Sequence, residues 1–205
     1  MEVSRIVTNG QTAFKQWSLL SDQKRLSVLK RYHDLIIDHR SEIIDAEEQD
    51  TLKHVIEVES DLNYSLDMLL HAINLLEDRS KESDGDNSTV VDGVRYTNRS
   101  FPFGLVVCIV PWNFPLVVAF ERIPFMLAAG NVVVWKSSES TCKSAKLLSK
   151  LFMEASNIPF VLQACSFGIE DTKLLLASKI DFISFTGSTK VGHEIMCNSE
   201  LASIP

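Results

Sequence analysis

The segment Phe103–Phe120 reads FGLVVCIVPWNFPLVVAF, and the way it is read decides the fold. No charged residue lies between Arg99 and Glu121, so the run is long enough to be weighed as a membrane span. Its own residues argue against that. Pro111 and Pro115 each remove a backbone hydrogen bond and crowd the preceding turn, at roughly 3 kcal/mol in a helix interior. They cut the run in two, and neither half crosses a hydrocarbon core of about 30 Å as a helix. The alternative is a buried strand over Leu105–Val110, a turn over Pro111–Phe114, and a helix that starts near Pro115, where a missing N–H matters little.

The residues downstream repeat this grammar. Short apolar runs at Val132–Trp135, Phe160–Ala164 and Phe182–Phe185 follow the first. Three of the four runs are continuous rather than alternating, which suits strands covered on both faces. Between them lie helical patterns at Leu116–Ala129, closed by Gly130, at Ser140–Ala155, closed by Asn157 and Pro159, and at Glu170–Ser178. Gly and Asn just past a helix end fit a left-handed cap. Strand and helix in alternation predict an α/β fold with a partial doubly wound, Rossmann-like parallel sheet.

Upstream, the first eighty residues read as helices. Phe14 and Trp17 share a face, Leu26, Leu29 and Ile36 follow Asp22 as a candidate cap, and Leu62, Leu66, Leu69, Ile73 and Leu76 form an apolar stripe. Gly, Asp, Asn and Ser cluster in Arg79–Gly93 and predict a loop. The expected layout is N-terminal helices over 1–80, a linker over 81–95, and an α/β domain over 96–205.

Composition narrows the function. A net charge of −7 with scattered Lys and Arg argues against nucleic acid as a partner. Hydrophobic residues make up 45% of the chain, enough for a sizeable core. Cys108, Cys142, Cys165 and Cys197 have no zinc-like spacing, and the early histidines show no HExxH pattern, so no metal site is expected. The opening MEVSRIVTNG lacks the apolar core of a signal peptide. Reduced thiols in a cytoplasmic setting, without a membrane anchor, are the expectation.

In open parallel sheets ligands bind at the carboxyl ends of the strands. PWNFP, Lys136 with SSES, and TGSTKVG all fall there. Gly187-Ser188-Thr189 before a helix can cradle an anion, and is equally an ordinary capped helix start. It is not a P-loop: His193 and Glu194 stand where Lys and Ser/Thr are required, and no GxGxxG occurs. Lys136 and Glu139 can bracket a ribose, the carboxylate disfavouring a 2′-phosphate, or can be a solvated lysine and a helix-dipole acid. The Asn113 amide can donate to an oxygen that turns negative in a transition state, or can make a local turn bond.

Together and in this order, PFGLVVCIVPWNFPL, AAGNVVVWKSSEST and ISFTGSTKVG resemble the aldehyde dehydrogenase superfamily. The likeness is strong from about Tyr96 to Met196. It implies oxidation of an aldehyde substrate to an acid through a thiohemiacetal, hydride transfer to NAD(P), and thioester hydrolysis. It further implies that Asn113 is the oxyanion donor, that Val110 and Trp112 line the nicotinamide side, and that Lys136 and Glu139 hold the adenosine ribose. Gly187 and Ser188 would meet the pyrophosphate, and Phe185 and Val191 would line the cofactor cleft. NAD is favoured over NADP because of Glu139. The family usually has Pro where Ser137 and Cys142 stand and Gly where Ser166 stands. Its general-base Glu and nucleophilic Cys are expected beyond Pro205, so the chain resembles less than half of such an enzyme, inactive alone. A homo-oligomer is expected of the full-length protein. The alternative is a non-catalytic nucleotide-binding or interaction fragment.

Overall fold

Four parallel strands form the centre of the molecule. In the computed structural model, which describes residues 2–81, 88–97 and 99–197, they are β3 (Leu105–Ile109), β4 (Val132–Lys136), β5 (Leu162–Cys165) and β6 (Phe182–Phe185). Their order across the sheet is β5-β4-β3-β6. Every residue of β3 is buried, as are Val132–Trp135 of β4, so the middle of the sheet is covered on both faces. That is why these runs are continuously apolar. β6, at the edge, is only half-buried throughout.

The helices preceding the sheet are α1 (Glu2–Trp17), α2 (Asp22–Asp38), α3 (Arg40–Thr51) and α4 (Val55–Lys81). The predicted stripe on α4 is the buried one, with Leu62, Leu66, Leu69, Ile73 and Leu76 inside. Ser21, rather than Asp22, is the N-cap of α2, its hydroxyl accepting from the Lys24 N–H. Asp22 instead pairs with Arg79 of α4 at 2.7 and 2.9 Å and with Arg25. α1 lies across β3 and β4, and the Trp17 indole donates to the Leu127 carbonyl at 3.2 Å.

Two expectations change. The predicted helix over 116–129 is two short helices, α5 (Pro115–Phe120) and α6 (Ile123–Ala128). Pro124 opens α6; it has no N–H to offer the Phe120 carbonyl, so one continuous helix is not possible there. The predicted loop over 79–93 is also partly regular. α4 continues to Lys81, and β1 (Ser88–Val91) pairs antiparallel with β2 (Val94–Thr97). Asp92 and Gly93 both have positive φ, the signature of a tight hairpin turn. Residues 82–87 of that loop lie outside the described residues.

The remaining helices are α7 (Lys143–Ser156), α8 (Ile169–Leu176) and α9 (Thr189–Met196). Asn157 closes α7 in the left-handed region, as its position predicts. Phe160 also has positive φ, which delays β5 until Leu162. Among the described residues no helix is long and apolar enough to cross a membrane.

Candidate functional site

The site is set by register. Ile109, the last residue of β3, lies opposite Lys136 on β4 and opposite Phe185 on β6. Lys136 in turn faces Cys165. The hydrogen bonds continue one step past the strands: Val110 N–H donates to the Lys136 carbonyl at 3.0 Å, and Thr186 N–H to the Ile109 carbonyl at 3.1 Å. Three loops that are far apart in sequence, 110–114, 136–142 and 185–188, therefore leave the sheet at one edge.

In the first loop Val110 is buried, whereas Trp112 and Asn113 are exposed. Pro115 occupies the start of α5, as predicted. The Asn113 amide makes no hydrogen bond to any described residue, so it does not serve as the local turn cap considered above.

In the second loop Lys136 is half-buried at the strand end. Burial pulls its ammonium below the ordinary pKa, and the neighbouring Cys165 and Glu139 oppose that. Its Nζ has no hydrogen bond or ion pair with a described residue. A partly desolvated ammonium without a partner is a donor available to a ligand. Glu139 lies in an exposed turn and not, as its spacing predicts, at a helix start, since α7 begins only at Lys143. Its carboxylate overhangs the start of α8: a methyl group at Gly168 would stand 3.1 Å from Oε1.

In the third loop Ser188 is the N-cap of α9, its hydroxyl accepting from the Val191 N–H at 3.4 Å. The hydroxyl proton remains free to donate. Gly187 is bare of side chain because the Phe185 ring fills that space; a methyl there would lie 2.5 Å from Cζ. Val191 sits in the first turn of α9 and is exposed. Thr186, between these residues, buries a hydroxyl that has no hydrogen-bond partner among the described residues.

The donor set fits an elongated phosphate- and ribose-bearing ligand: an ammonium, a carboxylate, a hydroxyl at a helix N-terminus, and an open amide, with apolar side chains between them. Two recesses of about 500 Å³ lie elsewhere, against α1, and neither is lined by these candidates. Among the described residues no group of three or more His, Cys, Asp or Glu could hold a metal ion.

A profile of the aldehyde dehydrogenase family matches residues 1–204. The chain belongs to the aldehyde dehydrogenase family. It is 30% identical over 196 residues to a malonate-semialdehyde dehydrogenase of Lacticaseibacillus casei, covering 95% of this chain and 39% of the relative. It is 32% identical to the NADP/NAD-dependent aldehyde dehydrogenase PuuC of Escherichia coli, covering 96% of this chain and 40% of that one. Among solved structures it superposes on HpcC of Thermus thermophilus with a TM-score of 0.89 at 28% identity, over 99% of this chain and 39% of that one. An indole-3-acetaldehyde dehydrogenase solved with NAD+ gives a TM-score of 0.88 at 26% identity, over 99% of this chain and 41% of that one. The chain thus spans about two fifths of the length of the curated relatives it matches. Its four-stranded sheet matches part of the family's Rossmann-like cofactor-binding domain.

The two positions where the resemblance implies proline, Ser137 and Cys142, have different local surroundings. Ser137, where the family usually has proline, uses the N–H that proline lacks: it donates to the Cys165 carbonyl at 2.9 Å, and its hydroxyl donates to the same oxygen at 3.1 Å. Cys142, at the second such position, is the N-cap residue of α7 but makes no capping bond. Asp50 of α3 supplies the cap instead, accepting from the Lys143 N–H at 2.7 Å and the Ser144 N–H at 3.3 Å. Sequence reasoning missed this role, because a cap supplied from another helix leaves no local signal.

Proposed function

We propose that this chain supplies the NAD-binding and oxyanion groups of an enzyme that oxidises an aldehyde to a carboxylic acid. The observation that carries this is the register that sets Ile109 between Lys136 and Phe185, in a chain of this family. Lys136 donates to, and Glu139 accepts from, the adenosine ribose. Backbone N–H groups at Gly187 and Ser188, with the Ser188 hydroxyl, meet the pyrophosphate at the positive end of α9. Val110 and Trp112 line the nicotinamide side, and Phe185 and Val191 the walls of the cleft. The Glu139 carboxylate repels a 2′-phosphate, which favours NAD over NADP. NAD, when bound, supplies the hydride acceptor. Asn113 donates its amide to the aldehyde oxygen as that oxygen turns negative, a contribution worth about 3–4 kcal/mol in a characterised oxyanion hole.

Two of the four cysteines are poorly suited to attack the aldehyde. Burial pushes the thiols of Cys108 and Cys165 up to about 12, and thiolates are the nucleophiles. Cys142 opens α7, and Cys197 follows α9 with its sulfur 3.6 Å from His193 Nδ1. We therefore propose that the 205 residues alone turn over no aldehyde and that the covalent step belongs to further sequence. The same thiols favour the second reading, a nucleotide-binding chain without catalysis of its own. For a longer protein we propose a homo-oligomer, supported by the exposed Val90, Val91, Val94 and Tyr96 of the β1–β2 hairpin.

Titration calorimetry tests the cofactor assignment. The expected result is NAD binding that weakens at least tenfold in the double variant Lys136→Ala, Glu139→Ala, with NADP bound more weakly than NAD by the unaltered chain. Equal NAD affinity of the two proteins sinks the ribose assignment. Steady NADH production from a simple aldehyde by the 205-residue chain sinks the inactivity claim.

A further inference from the structure

The connection between α3 and α4 carries a polar contact that the candidate site does not use. Leu52 ends α3 in the left-handed region, with φ of 58°, and the next residue, Lys53, turns inward. Its Nζ donates to Asp61 Oδ2 of α4 at 2.5 Å, with only 17% and 14% of the two side chains exposed. The same ammonium lies 3.8 Å from the centroid of the Phe114 ring. A largely desolvated cation over a ring is held more firmly than one in water.

Phe114 is the residue after Asn113, and the turn they share has few other restraints. No N–H of Trp112, Asn113 or Phe114 donates a hydrogen bond to a described residue, and no side chain caps α5. Trp112 and Asn113 are exposed. The turn is fixed at its start by Val110 and at its end by Pro115 and the Phe114 carbonyl, which accepts from the Val118 N–H at 3.0 Å, and the Phe114 ring is held by its contact with Lys53.

We propose that Lys53, held by Asp61, is a positioning residue that pins Phe114 and thereby fixes the Asn113 amide at the sheet edge. The consequence for aldehyde chemistry rests on the role proposed for Asn113; the bracket itself does not. Lys53 touches neither cofactor nor substrate in this assignment, and it acts through a ring.

Tryptophan emission gives a direct readout. The chain has three tryptophans; Trp17 and Trp135 are fully buried and Trp112 is 66% exposed, so acrylamide quenching reports on the turn. The variants are Lys53→Met with Asp61→Asn, which removes both charges and strands neither, Phe114→Leu, which spares the ion pair, and Lys53→Arg, which keeps a cation for the ring. The expected result in the first two is about tenfold faster hydrogen exchange of the Val118 amide, which donates to the Phe114 carbonyl, and of the amides that follow it in α5, with quenching raised about twofold and exchange in β4 unchanged. Lys53→Arg stays near the unaltered chain in both. NAD affinity is expected to stay within about twofold throughout, since the adenosine contacts lie on other loops.

Exchange and quenching unchanged in both disrupting variants overturn the bracket, as does acceleration that spreads equally into β4. Failure of the unaltered chain to bind NAD counts against the cofactor reading alone, and the exchange comparison still decides the bracket.

Discussion

Phe185 is packed onto Gly187 so closely that a methyl group at the glycine would lie 2.5 Å from the ring's Cζ and 3.1 Å from Cε2. Gly192 lies along the same ring, where a methyl would stand 3.2 Å from Cε1, so the ring is accommodated between two glycines. Gly187→Ala is therefore expected to push the ring out of the cleft wall and destabilise the fold by about 1–3 kcal/mol, the usual cost of overpacking. NAD affinity should fall about tenfold in the same variant. Urea denaturation and calorimetry measure the two effects, and an alanine variant with unaltered stability and affinity refutes the packing argument.

Glu47 gives stability a pH dependence. It is fully buried on α3, and neither carboxylate oxygen makes a hydrogen bond of good geometry to a described residue. Burial pushes its carboxyl up from 4.5 to about 7; the nearby Ser144 and Lys53 oppose the rise, and Asp50 and Asp61 add to it. Between those two values the folded chain keeps a proton that the unfolded chain releases. The stability linked to this proton is thus fully present below pH 4.5, declines as pH rises through the window, and levels off above about pH 7. A rise of that size corresponds to about 3 kcal/mol. Glu47→Gln is expected to flatten this part of the curve and to be more stable than the unaltered chain at about pH 8. Denaturation midpoints on either side of the window, at about pH 5 and about pH 8, give the test. An unchanged difference between the two in Glu47→Gln would rule Glu47 out as its source.

Asp50 caps α7 from α3, accepting from the N–H groups of Lys143 and Ser144. Asp50→Ala should destabilise the chain by about 1 kcal/mol, the typical worth of a cap. Asp50 also raises the carboxyl of Glu47, so its loss should lower the Glu47 titration point. The two substitutions are then expected to combine non-additively, as neighbouring groups do. Strict additivity in a double-mutant cycle would show that the two carboxylates do not interact.

The sheet and the loops at its carboxyl edge were legible in the sequence because they depend on local pattern. Short apolar runs marked β3, β4 and β6, and the prolines of PWNFP marked the turn and the start of α5. Asn157 and Gly130 marked helix ends through the backbone conformations they permit. The break between α5 and α6 was visible only as Pro124 inside an otherwise helical pattern. Other features left no local trace. The Asp50 cap, the buried Glu47 and the Lys53–Phe114 contact each join segments far apart in the chain, so no spacing or periodicity encodes them. Ser188 was legible as both an anion donor and a helix cap; the capping bond is present, and it uses a lone pair rather than the hydroxyl proton.

The position of α1 has a consequence for how the chain reaches its fold. Its backbone and side chains join residues that are made much later: Gln163 Nε2 donates to the Ile6 carbonyl at 3.1 Å, Gln11 Nε2 to the Lys179 carbonyl at 3.0 Å, and the Trp17 indole to Leu127. Contacts of such sequence separation close slowly, because the entropy of a long loop is lost before they form. During synthesis α1 leaves the ribosome ahead of the strands it packs on, with the buried faces of Val3, Ile6, Val7 and Trp17 and no strand yet to cover them. A helix made well before its strands is seated late, and until then its apolar side is a surface for chaperones or for aggregation.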